Sequence, residues 1–144
     1  MFRSVWRLRR GMTLGAQGVV IDGEGRVLLV RHVYRPGWCF PGGGVERGET
    51  LVEALARELD EEVGVSLTYA PELHGVFSNS ANFPGDHIAL FVVRHWQRRA
   101  DYRRRGEIAE AGMFAWQELP ERIDPGTHAR LAEIFGQASI GWHW

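Results

Sequence analysis

The sequence has a single cysteine and no long apolar run, and each shortage excludes a class of protein. Because Cys39 is the only cysteine among 144 residues, neither an internal disulfide framework nor a four-cysteine zinc site can form, and a reducing compartment is favoured. No stretch approaches the roughly 18 consecutive apolar residues of a membrane span. Arginines interrupt residues 1–18, which lack the apolar centre of a secretory signal. We therefore predict a cytoplasmic protein without membrane association.

The chain also lacks a strong charge of either sign, a linker and an internal repeat. Its formal net charge is −1, with 44% hydrophobic and 24% charged residues, as in ordinary globular proteins. We predict one domain over residues 1–144. The near-zero net charge disfavours general electrostatic attraction to nucleic acid. A local basic patch could still bind nucleic acid, so this partner is not excluded. A homodimer is open as well, since Trp142 and Trp144 near the C-terminus need apolar cover.

The pattern of apolar and turn residues predicts a mixed sheet with helices packed against it. Strands are expected near 17–21 and 26–32, as a hairpin around residues 22–25. A glycine- and proline-rich loop over 35–49 precedes a helix that begins after Thr50 and ends at Gly64. Further strands are predicted in "SLTYAPELHGVFSN", "DHIALFVVRHW" and "MFAWQEL", followed by a helix over 124–136. This order is not the strict strand–helix alternation of a doubly wound sheet.

Three acids on the first helix lie close together. Glu58, Glu61 and Glu62 are spaced three and four residues apart and project from one face. Two carboxylates about 6 Å apart repel by roughly 2 to 3 kcal/mol at an effective dielectric constant of about 20. A solvated polar face tolerates such a cluster, and a divalent cation such as Mg²⁺ would neutralise it. The acids alone leave both interpretations open.

The segment over residues 43–65 resembles the signature of the Nudix hydrolases throughout its 23 residues. The matching positions are Gly43, Glu49, Arg57, Glu58, Leu59, Glu61, Glu62, Gly64 and Val65. The resemblance implies an α/β fold of the α+β type, namely an α/β/α sandwich with a mixed β-sheet. It also implies hydrolysis of a nucleoside diphosphate linked to another group. The stretch "WCFPGG" just before the signature strengthens the likeness.

The resemblance further assigns expected roles. Glu58, Glu61 and Glu62 would bind Mg²⁺ or Mn²⁺, while Glu49 and Arg57 would brace these carboxylates. Gly43 and Gly64 would supply special backbone angles at the two ends of the motif. The general base differs among relatives of this kind, so Glu61 is our first expectation. The alternatives, on a distant loop, are Glu107 and Glu110.

The substrate is less well defined by the sequence. Phe83 and Trp38 lie in loops or at strand ends where a nucleotide base could stack, and the Asn82 amide could hydrogen-bond the edge of that base. Motifs of several Nudix subfamilies are absent, which leaves sugar nucleotides and nucleoside triphosphates as small-molecule substrates. An alternative substrate is an RNA 5′ end. The alternative functions are a catalytically silent nucleotide-binding regulator and a diphosphate isomerase that uses Cys39.

An arginine run follows the strand in "DHIALFVVRHW". It is expected either as the solvated turn of a long hairpin or as a patch that gathers polyphosphate. Four N-terminal arginines could extend that patch. The residues concerned are Arg94, Arg98, Arg99, Arg103, Arg104 and Arg105, with Arg3, Arg7, Arg9 and Arg10.

Overall fold

The computed structural model describes residues 11–104 and 106–144. Within them lie nine strands, two α-helices and a short 3-10 turn at Trp116–Glu118. The strands are β1 Thr13–Val20, β2 Val27–His32, β3 Trp38–Cys39, β4 Gly42–Gly44, β5 Val65–Leu67, β6 Glu72–Ser78, β7 Asp86–Val93, β8 Trp96–Arg98 and β9 Ile108–Phe114. The helices are α1 Leu51–Val63 and α2 Pro125–Phe135.

The strands form a mixed sheet of order β4-β1-β7-β6, a second sheet of order β3-β2-β9, and a β5-β8 pair. β1 runs parallel to β7, and the other pairings are antiparallel. The predicted β1–β2 hairpin is wrong. Its turn closes through a bridge between Ile21 and Val27, but the two strands then enter different sheets because each finds its partners far along the chain.

Each face of the sheets carries its own apolar cluster, and each cluster includes one helix. Side chains alternate along β1, so Ala16 and Val20 pack with α1 whereas Val19 packs in the cluster of α2. Leu59 of α1 and Leu131 of α2 are both fully buried. Helix, sheets and helix therefore form the expected α/β/α arrangement.

Local sequence signals set the ends of α1. The Thr50 side chain accepts from the Glu53 N–H while the Glu53 side chain accepts from the Thr50 N–H, which forms the predicted capping box. Gly64 ends the helix with φ 64° and ψ 30°, in the left-handed region. A side chain at Gly64 would also collide with the Tyr102 ring. The acidic helix thus begins and ends where the sequence predicts.

The arginine run does not form the turn of a hairpin as expected. β8 interrupts it and pairs with β5, while β7 and β9, on either side of the run, belong to different sheets. Other strand predictions also need correction: "SLTYAPELHGVFSN" contains two strands, β5 and β6, and "MFAWQEL" contains only the end of β9 followed by the 3-10 turn. No helix in the described part of the chain has the length and apolar character needed to cross a bilayer.

Candidate functional site

Arg57 of α1 organises the acidic face. Its Nε donates to Glu49 Oε2 at 2.8 Å and its Nη2 to Glu49 Oε1 at 2.9 Å, a bidentate pair. Its Nη1 donates to Glu58 Oε1 at 2.8 Å and its Nη2 to the Gly44 carbonyl at 3.0 Å. This cation holds the pKa of Glu49 down to about 2, mainly through the side-chain hydrogen bond. One guanidinium therefore connects the loop, β4 and the helix.

Glu58 rests against the backbone of β4. A Cβ at Gly43 would lie 2.6 Å from the Glu58 Cδ and Oε1, closer than atoms can approach. Gly43 does not have a positive φ, unlike its neighbour Gly42 at 150°. The expectation that Gly43 supplies a special backbone angle is therefore wrong. The position needs glycine because the carboxylate occupies the space of a side chain.

Glu62 is a half-buried carboxylate without a cationic partner within 4 Å among the described residues. The Gly42 N–H donates to its Oε2 at 3.2 Å. The pKa of Glu62 is raised to about 8, mainly by burial and also by the charges of Glu58 and Glu107, while the Gly42 hydrogen bond opposes the rise. A bound cation would stabilise the charged form of Glu62 and so offset the cost of its burial.

Glu61 is more exposed than these two carboxylates. Its side chain is 57% exposed, and its Oε2 is 3.6 Å from Arg57 Nη1. Across residues 11–104 and 106–144, no three aspartate, glutamate, histidine or cysteine side chains converge as a metal-binding group. The donors are nonetheless the hard carboxylate oxygens that Mg²⁺ and Mn²⁺ take. The residues fit a divalent ion by their chemistry, and side-chain reorientation would have to bring them together.

The two expected loop acids lie in different surroundings. Glu107 is exposed, and its charge acts on both Glu62 and His32. Glu110 does not lie on a loop as expected: it lies on β9 opposite Arg31 of β2, and Arg31 Nη2 donates to its Oε1 at 2.6 Å. Of these two acids, Glu107 is the one whose charge raises the pKa of Glu62 on the acidic face.

A cleft of about 670 Å³ opens beside Gly43 and Gly44. Its walls therefore adjoin the backbone that supports Glu58. Two predicted substrate residues, Asn82 and Phe83, line this cleft, and Phe83 is 65% exposed. The other polar and aromatic lining residues include Arg35, Asn79, Asp86, Asp124 and Trp144.

Hydrogen bonds fix the loop that carries Phe83. Asp86 accepts from Thr13 Oγ1 at 2.6 Å and from Asn79 Nδ2 at 2.8 Å. Asn82 Nδ2 donates to Asn79 Oδ1 at 2.8 Å, and the Phe83 N–H donates to the Asn79 carbonyl. Asn82 Oδ1 accepts no hydrogen bond from the described residues. The loop thus places the Phe83 ring and the Asn82 amide at the cleft.

Trp38 and Cys39 are placed differently from each other. Trp38 packs edge-on against Phe114 at 5.0 Å between ring centroids and lines a separate cavity of about 320 Å³. It is therefore not brought together with Phe83. Cys39 borders the main cleft but is 5% exposed, and burial raises the pKa of its thiol to about 11. Such a thiol is a poor nucleophile at neutral pH.

Sequence reasoning missed Arg35. This residue lines both cavities. Its positive charge partly offsets the rise in the pKa of the Cys39 thiol and of the Glu62 carboxyl. Its guanidinium has no carboxylate within 4 Å in the described ranges, and Nη2 lies 3.6 Å from Cys39 Sγ. The only sequence signal was its position just before Pro36-Gly37 in the glycine-rich loop.

The arginine run is only partly attached to this region. Arg99 is paired with Asp60 of α1 at 2.7 Å and with Asp101 at 3.2 Å. Arg103 and Arg104 are exposed. Arg105 and the N-terminal Arg3, Arg7, Arg9 and Arg10 lie outside the described residues.

Comparison with known proteins agrees with this arrangement. The sequence model of a family described as the NUDIX domain matches residues 12–134. The chain is 39% identical over 130 residues to an RNA pyrophosphohydrolase of Halorhodospira halophila, covering 88% of this chain and 62% of that protein. It is 36% identical over 88 residues to an 8-oxo-dGTP diphosphatase of Proteus vulgaris, covering 57% of this chain and 76% of that protein.

The fold is also similar to that of a solved structure. The crystal structure of a MutT NUDIX hydrolase from Burkholderia pseudomallei superposes with a TM-score of 0.73 at 24% identity, covering 85% of this chain and 97% of the other. At this identity the similarity concerns the fold alone. The chain spans about three fifths of the Halorhodospira halophila relative.

Proposed function

The chain belongs to the NUDIX domain family, and we propose that it is a pyrophosphohydrolase that depends on a divalent metal ion. Its substrate would be a nucleoside diphosphate derivative, cleaved by attack of water on a phosphorus of the diphosphate bridge. One observation carries the proposal: the Arg57-braced carboxylates adjoin a cleft of about 670 Å³ through Gly43. That volume is within the usual range for a small-molecule site.

Mg²⁺ or Mn²⁺ would be held by Glu58 and Glu62, with Glu61 completing the set. Glu62 is the strongest support for this assignment, because its half-buried carboxylate has no cationic partner within 4 Å in the described part of the chain. When bound, such an ion neutralises phosphate charge and acidifies a water molecule. Arg57 keeps Glu58 in one position through its link to Glu49, and Arg35 offers a cation to phosphate oxygens at the cleft.

The proton of the attacking water needs a carboxylate acceptor. Glu61 is exposed, and among the described residues its side chain has just the 3.6 Å contact with Arg57, so it can turn toward a bound substrate. Glu107 is the second candidate, because its charge acts on Glu62. Glu110 is engaged by Arg31 and serves as the matched control for Glu107.

The substrate proposed first is a small nucleotide, either a sugar nucleotide or a nucleoside triphosphate. The size of the cleft and the single exposed Phe83 ring support it. An RNA 5′ end is the second candidate, supported by the likeness to a relative named RNA pyrophosphohydrolase. Exposed Arg103 and Arg104 would then contact the RNA backbone.

The test is a hydrolysis panel with Mg²⁺ or Mn²⁺ that includes sugar nucleotides, nucleoside triphosphates and a triphosphorylated RNA. Water labelled with ¹⁸O shows which phosphorus is attacked. We expect metal-dependent release of a nucleoside monophosphate or of pyrophosphate from at least one substrate. Nucleotide binding without product under every divalent ion would instead support a silent regulator.

One pair of variants and one double variant separate the remaining roles. Glu107→Gln should lower kcat if Glu107 is the base, whereas Glu110→Gln should leave it unchanged.

Replacing Arg103 and Arg104 together by alanine should weaken the binding of an RNA substrate in a salt-dependent way and leave the binding of a sugar nucleotide nearly unaffected. Equal effects on both substrates would remove the RNA interpretation. Cytoplasmic location, a single domain over 1–144 and a homodimer stay predictions.

A further inference from the structure

The last four residues, Gly141–Trp144, run along the edge of β6, and we call them the tail strap. The Ser78 N–H donates to the Trp142 carbonyl at 2.8 Å, and the Trp144 N–H donates to the Ser78 carbonyl at 2.9 Å. Ser78 and His143 thereby form a parallel bridge. The strap continues the mixed sheet by one short segment beside the cleft.

A buried ionic network on α2 holds the tail strap in place. Arg130 and Glu133 form an ion pair at 2.9 Å, with side chains only 5% and 3% exposed. Arg130 Nη1 donates to the His143 carbonyl at 2.6 Å, and the Gly141 N–H donates to Glu133 Oε2 at 2.8 Å. His74 of β6 contacts the other Glu133 oxygen at 2.7 Å. Displacing the strap would break two hydrogen bonds to charged groups, and these bonds connect it to α2.

This attachment places the Trp144 indole at the wall of the cleft. The ring packs edge-on against Phe40 and Phe77, with centroids 6.1 and 6.0 Å away. Its Nε1 donates to Asp124 Oδ2 at 3.3 Å. A Cβ at Gly126 would overlap the indole, so the ring lies directly against the start of α2. The indole is half-buried, and it lines the same cleft as Phe83.

We propose that Trp144 is a specificity-determining residue that contacts the base of a nucleotide in this cleft. The inference rests on the proposed function for the identity of the ligand. With the diphosphate near Gly43 and Glu58, the nucleoside would extend toward the cleft wall formed by Asn82, Phe83 and Trp144. Aromatic rings and an amide oxygen are the groups that recognise the face and the edge of a base. Arg130 and Glu133 are positioning residues that act through the strap.

The experiment compares Trp144→Ala with Trp142→Ala as the matched control. Both indoles belong to the tail strap, but Trp142 is 80% exposed and is not among the residues lining the cleft. The ligands are the α,β-methylene analogues of ADP, GDP, CDP and UDP, with methylenediphosphonate as the probe that lacks a base. Calorimetry with Mn²⁺ measures each affinity without any turnover.

We expect Trp144→Ala to weaken the tightest nucleotide analogue by about 5- to 150-fold, the range of one base–aromatic stacking contact. Methylenediphosphonate should bind as to the wild type, and Trp142→Ala should change neither affinity. A second variant, Gly126→Ala, keeps the indole but displaces it, and the same selective loss is expected. Unchanged nucleotide affinity in Trp144→Ala would overturn the proposal, as would equal losses for both ligand types.

The outcome is separable from that of the proposed function. A wild type that binds nucleotide analogues with a Trp144-dependent affinity but hydrolyses no substrate would refute the activity and retain the binding role. A wild type that hydrolyses nucleotides while Trp144→Ala binds them normally would refute only the role of Trp144. A wild type that neither binds any analogue nor hydrolyses any substrate would refute both.

Discussion

Replacing Gly43 by alanine tests the arrangement of the acidic face with a single methyl group. The new Cβ would lie 2.6 Å from the Glu58 Cδ and Oε1, so the carboxylate must move by roughly 1 Å to reach ordinary contact distance. The backbone itself tolerates alanine, because Gly43 has no positive φ. The perturbation therefore falls on Glu58 and on its 2.8 Å bond to Arg57.

A misplacement of about 1 Å can reduce turnover by about 10²-fold, which corresponds to roughly 2.7 kcal/mol of transition-state stabilisation. We expect a loss of that order in kcat on the best substrate, together with weaker Mn²⁺ binding. Gly44→Ala is the matched control, because its Cβ would meet no atom within 4 Å; this variant should retain Mn²⁺ affinity. Wild-type turnover and Mn²⁺ affinity in Gly43→Ala would refute the reasoning.

Three further predictions concern single side chains around the site. The pKa of Glu49 is lowered to about 2 from 4.5, so the stability that its ionised form contributes is present above about pH 4.5 and disappears as the pH falls toward 2. Denaturant titrations should therefore show that the difference in free energy of unfolding between the wild type and Glu49→Gln shrinks over that range. Cys39, with its thiol pKa near 11, should react with a thiol reagent at pH 8 only after unfolding. Hydrolysis by Cys39→Ser should match the wild type, which would dismiss an isomerase that uses this thiol, whereas lost hydrolysis would show that Cys39 takes part in the reaction. Arg35→Ala should raise KM for diphosphate substrates by about tenfold with a smaller change in kcat, and unchanged KM would exclude a phosphate contact.

The part of the site that sequence could predict is the part encoded locally. The capping box at Thr50 and the left-handed Gly64 depend on neighbours within one helix, and the spacing of Arg57, Glu58 and Glu62 follows from helix geometry. Those features are where the sequence predicts them. They place the acids on one face before any tertiary contact is known.

The features that sequence could not predict depend on contacts between distant segments. β1 was expected to pair with β2 but pairs with β7 along its whole length, because partner choice is settled by burial on both sheet faces. Arg35 and Trp144 meet in one cleft although 109 positions separate them in the chain. No local pattern indicates that Arg130 and Glu133 would hold the C-terminal residues there.

The most direct test of the account is a calorimetric titration of the folded protein with Mn²⁺. The account predicts saturable binding by the wild type, and its loss when Glu58 and Glu62 are both replaced by glutamine. Glu53→Gln, on the same helix, removes one charge while glutamine can still form the capping box, and it should bind Mn²⁺ like the wild type. No uptake of Mn²⁺ by the wild type, with or without a nucleotide, would contradict the account.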